Sequence, residues 1–305
     1  METLALDLKQ EKTMNKTKKI DWGAYAYLLP VLIIIIAFHV LPMVMALVVS
    51  FFEWDLIGSP KLIGFHNYAR LFSDPLFKKS LINTAIYALT SIPLIIFLSM
   101  FIAILLNNPI KGIGVYRTIY FLPVITSINA VALVWNFIYN PEFGLLNKVL
   151  AGFGLEPVRW LQNPKTAMMA IVVMSVWKGL GSNIIIFLAG LQNIPKQLYE
   201  AATLDGANVF QQFRHITWPL LTPTTFFITV MSVIGSFQVF SQVYMMTPRG
   251  GPLKSTMVVV YYLYRKAFEQ FEFGYALAMA FVLFLIILAL TLFNKLVVEK
   301  RVHYN

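Results

Sequence analysis

The sequence has no cysteine and few charged residues. Because none of its 305 residues is a cysteine, disulfides and thiolate metal sites are excluded. Only 12% of the residues are charged and 58% are hydrophobic, whereas soluble domains average about 25% charged residues. This composition places the chain in a lipid bilayer and predicts an all-α polytopic membrane protein.

Charge is scarce in six long segments, and each is long enough to cross a membrane, which takes about 20 apolar residues. We predict transmembrane helices near 26–51, 82–106, 118–139, 167–191, 222–246 and 273–296. Prolines in these segments predict kinks; they are Pro30, Pro42, Pro93 and Pro123. The expected domains are an N-terminal tail, 1–21, a transmembrane domain, 22–298, and a C-terminal tail, 299–305.

The distribution of positive charge predicts the orientation. Lysines flanking the first span set the topology, and they predict a cytoplasmic N-terminus and, with six spans, a cytoplasmic C-terminus; these lysines are Lys9, Lys12, Lys16, Lys18 and Lys19. The first apolar run is too long for a signal peptide and is read as an uncleaved span. We assign the net charge of +10 to loops beside anionic lipid headgroups, with no nucleic-acid partner.

Signatures of catalysis are missing. The chain contains no G-x-x-x-x-G-K-[ST], G-x-S-x-G or H-E-x-x-H pattern, so we expect neither ATPase nor hydrolase activity, no metal and no cofactor in this chain. No Asp or Glu lies within the predicted spans, although secondary transporters usually place carboxylates there to carry the coupling ion. An ion-coupled secondary transporter of a small solute remains the alternative function.

A motif between the fourth and fifth spans carries the most information. Residues 192–219 form the predicted loop, and within it Glu200-Ala201-Ala202, Gly206, Ile216 and Pro219 fit EAA-x3-G-x9-I-x-L-P, with Trp218 in place of the usual leucine. The run before Asp205 is rich in helix formers. Pro195 can open a helix in its first turn, and Gly206 can end it in a left-handed conformation. An ordinary connector between spans is the competing interpretation.

That spacing resembles the signature of membrane subunits of bacterial ABC importers. Residues 187–206 and the stretch Thr247-Pro248-Arg249-Gly250-Gly251-Pro252, followed by Ser255-Thr256, resemble the carbohydrate branch of this family, MalF/UgpA-like permeases. Asn83-Thr84 also fits it. The resemblance implies a type I ABC importer permease fold with six transmembrane helices, in the bacterial cell (inner) membrane.

The resemblance also implies partners and roles. The partners are a second, MalG-like permease, two cytoplasmic ATPase subunits that bind ATP and Mg, an extracellular solute-binding protein, and a disaccharide or oligosaccharide. The predicted ATPase-coupling residues are Glu200, Ala201, Ala202, Asp205, Gly206 and Pro219. The outer loop is predicted to shape a tight turn that receives the binding protein or gates the outer cavity; its residues are Gly250, Gly251 and Pro252.

Polar side chains inside the spans are candidates for the substrate path. They are Lys178, Asn183, Ser236, Gln238, Gln242 and Tyr244. Gln238 and Gln242 are predicted to share a helix face, where neutral amides beside aromatic rings suit sugar hydroxyls, although interhelical hydrogen bonding is an alternative. Lys178 either faces a cavity or partner or extends to the interface. Residues 257–271 are predicted to form an amphipathic helix on the outer surface.

Overall fold

The computed structural model describes residues 22–108 and 111–298, and among these the chain is helical apart from its connections and one small hairpin. Five helices are long and apolar enough to cross a membrane, or six if a bent pair counts as one span. The all-α prediction is therefore confirmed. The predicted tails, 1–21 and 299–305, lie outside the described residues.

The helices follow in chain order. They are α1 (Trp22–Ile35), α2 (Leu41–Val49), α3 (His66–Ser73), α4 (Pro75–Leu106), α5 (Ile113–Ile125), α6 (Ile128–Ile138), α7 (Leu145–Gly152), α8 (Ala167–Gln192), α9 (Lys196–Leu204), α10 (Val209–Gln212), α11 (Trp218–Phe237), α12 (Ser241–Met246), α13 (Val259–Tyr264) and α14 (Phe273–Val298). Strands β1 (Phe52–Glu53) and β2 (Lys61–Leu62) pair antiparallel, with Phe52 opposite Leu62.

The first span forms a compact unit of its own, which ends at Val48. A π-helical stretch, Ile36–Val40, joins α1 to α2 and comes just before Pro42. Proline lacks an N–H and its ring clashes with the carbonyl four residues earlier, so the wider turn accommodates it. The kink predicted at Pro42 thus takes the form of a local change in helix type.

The second unit, 49–305, is built around α4, α8, α11 and α14. Helix α4 begins earlier than predicted because Asp74 caps it: the Asp74 Oδ1 atom accepts from Leu76 N at 2.8 Å and from Phe77 N at 3.1 Å. Helices α5 and α8 approach closely at Gly181, where a Cβ atom would lie 2.2 Å from the Tyr120 carbonyl oxygen. Any larger residue there would force these two helices apart.

The third span is broken close to the kink predicted at Pro123, so the helix predicted near 118–139 is present as two helices. Helices α5 and α6 meet at 104°, because Thr126 and Ser127 are extended, with ψ of 145° and 138°. Pro123 contributes by removing one backbone donor within the last turn of α5. The break leaves carbonyl groups at the end of α5 without helical partners.

The fifth span also differs from its prediction over 222–246. Helix begins at Val209, continues through a π-helical stretch, Phe213–Thr217, into α11, and stops at Phe237. Gln238 to Phe240 interrupt it before the short α12. Gln238 and Gln242 therefore lie on opposite sides of a helix break, and the prediction that they share a helix face was wrong.

Residues 257–271 do not form a surface helix as predicted. Helix α13 and a π-helical stretch, Arg265–Glu269, are present, but Val259, Tyr261 and Tyr262 are buried in the hydrophobic core. Lys266 is also buried, paired with Glu272 at 3.0 Å. Lys266, one of the polar residues that suggested an exposed face, is thus used for an internal ion pair.

Lys178 on α8 donates hydrogen bonds to the carbonyl groups that lack helical partners at the break in the third span. Its ammonium group donates to the Pro123 carbonyl at 2.7 Å and to the Thr126 carbonyl at 2.9 Å. A positive charge at the C-terminal end of α5 is also favourable for the helix dipole. Lys178 thus holds the bent span against its neighbour.

We expect Lys178→Met to destabilise the protein by about 2–4 kcal/mol, because it removes charged hydrogen bonds and leaves carbonyl oxygens unpaired. The thermal unfolding midpoint in detergent measures this loss. Lys178→Arg should recover part of it. Lys148→Met, at an exposed position on α7, is the matched control and should leave the midpoint unchanged; an equal loss in both variants would contradict the role of Lys178.

Candidate functional site

The segment between the fourth and fifth spans begins with the short helix α9. Pro195 precedes the helix as its N-cap residue, with ψ of 127°, one position before the first turn where it was predicted. Gly206 has φ of 80°, the left-handed conformation predicted from the sequence. Gly206 N donates to the Thr203 carbonyl at 3.1 Å and Ala207 N to the Ala202 carbonyl at 2.8 Å, the two bonds of a Schellman termination.

A second helix starts immediately after this turn. Asn208 caps α10 and forms a capping box with Gln211, whose side chain accepts from Asn208 N at 2.8 Å. From Val209 the helix runs without interruption to Phe237, and Pro219 lies in the first turn of α11. The segment is therefore continuous with the fifth span at one end, whereas the sequence predicted that this span begins near residue 222.

The tip of the segment is exposed. Glu200, Ala201, Asp205 and Gly206 are exposed, and Ala202 is half-buried. Three large apolar side chains beside them are more exposed than expected for an unpartnered surface: Leu204 at 89%, Val209 at 83% and Phe210 at 69%. Sequence reasoning missed these three, although their apolar character on either side of Gly206 was the available signal.

The opposite face of the segment is anchored. The Tyr199 hydroxyl lies 2.9 Å from the Thr217 hydroxyl, which joins α9 to the start of the fifth span. Tyr199, Phe213 and Ile216 pack against a hydrophobic cluster drawn from α4, α8 and α11. A force applied to α9 would therefore reach three spans through packed side chains.

At the far end of the fifth span, the predicted outer loop is held together by hydrogen bonds within itself. We call residues 247–256 the outer knot. Gly250 and Gly251 have φ of 83° and 70°, and a Cβ on Gly250 would lie 2.9 Å from the Met257 Cβ atom. Thr256 Oγ1 donates to Thr247 Oγ1 at 2.8 Å. The loop also contains non-glycine residues with positive φ, among them Arg249 at 58°, whose N–H donates to the Tyr261 hydroxyl at 2.8 Å.

Asn83 and Thr84 on α4 tie this loop down. Asn83 Nδ2 donates to the carbonyls of Lys254 and Met257, both at 2.9 Å. The Thr84 hydroxyl accepts from Val259 N at 3.0 Å. The Asn83-Thr84 pair, which also fits the carbohydrate branch, is thus in direct contact with the outer loop.

A carboxylate-centred cluster, which the sequence did not indicate, supports the same end of the bundle. Asp74 Oδ2 accepts from the hydroxyls of Tyr262 at 2.6 Å and Tyr275 at 2.7 Å, and Arg70 pairs with Glu272 at 2.6 Å. Burial raises the pKa of Asp74, but the tyrosine and backbone hydrogen bonds outweigh it and lower that pKa overall. The cluster therefore stabilises the fold at neutral pH and loses this effect as the pH falls through the lowered pKa.

The predicted substrate-path residues lie at several depths. Lys178 binds the carbonyls at the break between α5 and α6. Asn183 donates to Gly179 of its own helix at 2.9 Å, and Ser236 is buried 3.4 Å from the Ser91 hydroxyl. The remaining candidates surround the break after α11; they are Gln238, Gln242 and Tyr244.

An aromatic cluster adjoins that break. The rings of Phe240 and Tyr244 stack with centroids 5.3 Å apart, and Tyr244 also contacts Tyr261 at 5.4 Å and Tyr264 at 5.6 Å. Tyr244 keeps 39% exposure and Gln238 is exposed. The rings that contact Tyr244 come from α13 as well as from the fifth span.

Acidic and histidine side chains do not gather into a metal site: across residues 22–108 and 111–298, no group of three or more potential ligands is placed to hold an ion.

Similarity to known proteins covers nearly the whole chain. The model of the family "Binding-protein-dependent transport system inner membrane component" matches residues 72–303. The probable ABC transporter permease protein YesP of Bacillus subtilis is 39% identical over 298 residues, which is 96% of both chains. The arabinooligosaccharides transport system permease protein AraP of Halalkalibacterium halodurans is 35% identical, over 88% of this chain and 85% of that protein.

The fold is also similar to a solved structure. A chain of the bacterial alginate ABC transporter, crystallised in complex with an alginate pentasaccharide-bound periplasmic protein, matches with a TM-score of 0.78 and 26% identity. The match covers 91% of this chain and 94% of the other. The agreement therefore extends over the whole bundle and is not limited to one motif.

The knot formed by the outer loop yields a prediction about Asn83. Asn83→Leu should loosen residues 247–257, because two carbonyl oxygens lose their donor at a cost of about 1–3 kcal/mol each. Trypsin should then cut faster after Arg249 and Lys254. Asn108→Leu, at an exposed position just beyond the other end of α4, is the control and should not change the cutting rate. Unchanged cutting in Asn83→Leu would show that contacts within the loop are enough to keep it ordered.

Proposed function

This chain belongs to the family of binding-protein-dependent transport system inner membrane components, and from that premise we propose that it couples ATP hydrolysis by separate subunits to sugar import. Family membership confirms the resemblance read from residues 200–219 and from the 247–256 stretch. The chain is a multi-pass membrane permease subunit and not an enzyme. Family membership also argues against the ion-coupled alternative.

The coupling site in this proposal is the exposed tip of residues 197–210. Its support is the contrast between the two faces of this segment. One face is anchored to the bundle through Tyr199, Phe213 and Ile216, and the other is exposed to solvent. Glu200 and the small Ala201 let a partner approach closely, while Leu204, Val209 and Phe210 offer exposed apolar surface of the kind that marks protein–protein interaction sites. We assign the partner as one of two cytoplasmic ATPase subunits, which bind ATP and Mg.

Transmission follows from helix continuity. Residues 209–237 form one helical rod, about 40 Å long at 1.5 Å per residue, so movement at Asn208 displaces the break beside Tyr244. We propose that closure of the ATPases moves this rod and switches the path between inward and outward access. Differential contacts in the two states supply the driving free energy.

The remaining partners complete an importer. The periplasmic protein in the complex of the similar alginate transporter supports an extracellular solute-binding protein here, received at the end of the bundle that carries the 247–256 knot. A second, MalG-like permease would complete the path. This arrangement places both termini in the cytoplasm and the chain in the bacterial cell membrane, with residues 192–219 facing inward.

We propose an oligosaccharide or disaccharide as substrate. The sugar named for the similar arabinooligosaccharide permease supports this class. Within the chain, support comes from Gln238, Gln242 and the accessible ring of Tyr244, since neutral hydrogen-bonding groups beside aromatic faces suit sugar hydroxyls and the apolar faces of sugar rings.

The coupling role predicts the effect of Gly206→Val. A β-branched residue at φ of 80° costs on the order of 1–2 kcal/mol and redirects the tip, and a loss of 1.4 kcal/mol corresponds to about a tenfold loss of coupling. Sugar uptake and sugar-stimulated ATP hydrolysis by the reconstituted transporter measure it. Gly112→Val, also at positive φ with open space around it, controls for backbone strain alone and should leave both rates near wild type.

Ala201→Trp tests the same surface without touching the backbone. Its side chain should block the partner and lower both rates, whereas Ala151→Trp, exposed on α7, should not. Sugar binding by the separate binding protein should be unaffected by either change. Normal uptake and normal sugar-stimulated ATP hydrolysis in both Gly206→Val and Ala201→Trp would show that residues 197–206 only connect two spans and have no coupling role.

The substrate path predicts a separate effect at Tyr244. Tyr244→Ala should raise the sugar concentration for half-maximal uptake roughly tenfold, equivalent to about 1.4 kcal/mol, while Tyr244→Phe keeps the ring and most of the affinity. Tyr116→Ala, at an exposed position on α5, controls for the loss of a tyrosine ring elsewhere in the chain. Equal affinities for Tyr244→Ala and wild type would remove Tyr244 from the path.

A further inference from the structure

Beside the outer knot lies a cavity of about 530 Å³ whose walls come from α6, the loop before α8, and the end of α12. Polar groups reach it from Asn136, Asn140 and Gln162, and the buried ring of Tyr139 contributes apolar surface. No acidic or basic side chain lines it. Its volume is typical of sites for small molecules.

The amides that line this cavity have unused hydrogen-bonding capacity. Asn136 Nδ2 donates to the Met245 carbonyl at 3.2 Å, but its Oδ1 is buried and has no partner among the described residues. Asn140 uses its Oδ1 to accept from Glu142 N at 2.9 Å and Phe143 N at 3.2 Å, while its Nδ2 donates to no described atom. A buried acceptor without a donor costs about 1–3 kcal/mol, so a rotation of the Asn136 side chain that turns its Oδ1 atom toward a ligand hydroxyl in the cavity would be favourable.

No charged side chain lines the cavity, and two lysines of the adjoining outer region donate to carbonyl oxygens. Lys254 Nζ donates to the Arg249 carbonyl at 2.9 Å, and Lys79 Nζ to the Leu253 carbonyl at 2.6 Å. An anionic ligand would therefore enter a neutral pocket without a dedicated counter-charge, at a desolvation cost that neutral hydroxyls do not incur. The chemistry favours a neutral polyol over a carboxylate or phosphate.

The cavity is also placed along the proposed path. Met245 and Met246, in its wall, belong to the same short helix as Gln242 and Tyr244, and Thr247 and Gly251 belong to the knot. A ligand here would lie between the surface proposed to receive the binding protein and the aromatic cluster at the break in the fifth span.

We propose that this cavity is an outer subsite that holds one neutral glycosyl unit before it reaches the aromatic cluster. The inference rests on the proposed function and narrows its substrate class to neutral sugars. It assigns sugar hydrogen bonding to Asn136, Asn140 and Gln162, which the sequence did not single out.

The absence of cysteine from the chain permits a direct test. Gln162→Cys places a single thiol at the cavity, and Glu156→Cys, exposed on the same connection, is the control. In the reconstituted transporter, a membrane-impermeant maleimide labels each variant with and without arabinotriose, maltotriose, lactose or an alginate trisaccharide. Uptake of the same sugars is measured in parallel, and labelling is repeated with and without the binding protein.

We expect at least one neutral sugar, at ten times its half-protecting concentration, to slow labelling of Gln162→Cys about tenfold. The alginate trisaccharide should not protect, and Glu156→Cys should label equally throughout. Adding Asn136→Leu should raise the half-protecting concentration roughly tenfold, whereas Leu161→Met, which keeps the volume of the wall, should not. Asn136→Ala, which also removes the acceptor oxygen, replaces Asn136→Leu if the latter fails to assemble.

Several outcomes would overturn the subsite. Equal protection by the acidic trisaccharide would reject its neutrality, and protection by the binding protein without sugar would make the cavity a docking contact. Absence of protection by every neutral sugar would reject the subsite outright. If sugar uptake persists in that case, the importer function stands and only the subsite is lost; if uptake of every sugar is absent, the proposed function fails as well.

Discussion

The fold depends on one constraint, that backbone N–H and C=O groups inside a bilayer must find partners within the protein. Two of the described spans are interrupted, and side chains from neighbouring helices donate to carbonyl groups at the first interruption and beyond the second. Lys178 serves the break between α5 and α6. Asn136 on α6 donates to the Met245 carbonyl at the end of α12. The bend in the third span thereby brings Asn136 to the irregular end of the fifth.

This arrangement gives the fifth span two different ends. Toward the coupling segment it is a continuous rod, capped at Asn208 and packed through Phe213 and Ile216. Toward the outer end it is broken, polar and surrounded by aromatic rings. A rigid element delivers displacement, and a broken element can change its local conformation in response. Both properties are needed if force applied at one end is to alter access at the other.

The sequence was sufficient where the determinants are local. The left-handed Gly206 follows from its place after a run of helix formers, and long apolar runs located the spans. The kink near Pro123 was predicted, but the break after Phe237 and the contacts of Lys178 were missed because they depend on distant residues: nothing near Thr126 indicates that Lys178 will bind its carbonyl. The burial of Tyr262 was missed for the same reason, since its partner Asp74 lies 188 residues away in the chain. Pairing across the bundle overrides what a single segment indicates.

The two motifs that suggested the family have opposite physical explanations. In the 247–256 stretch, glycines, threonines and carbonyls contact one another or Asn83, so the fold alone accounts for their identities. In the 200–210 stretch, Glu200, Ala201, Leu204 and Phe210 lie exposed, and a Cβ on Gly206 would meet no atom within 4 Å. Apart from the φ of Gly206, the internal energetics of the chain do not require these residues. Under the proposed function these residues contact a second protein, and that contact would supply the physical reason for the motif that the fold of this chain does not supply.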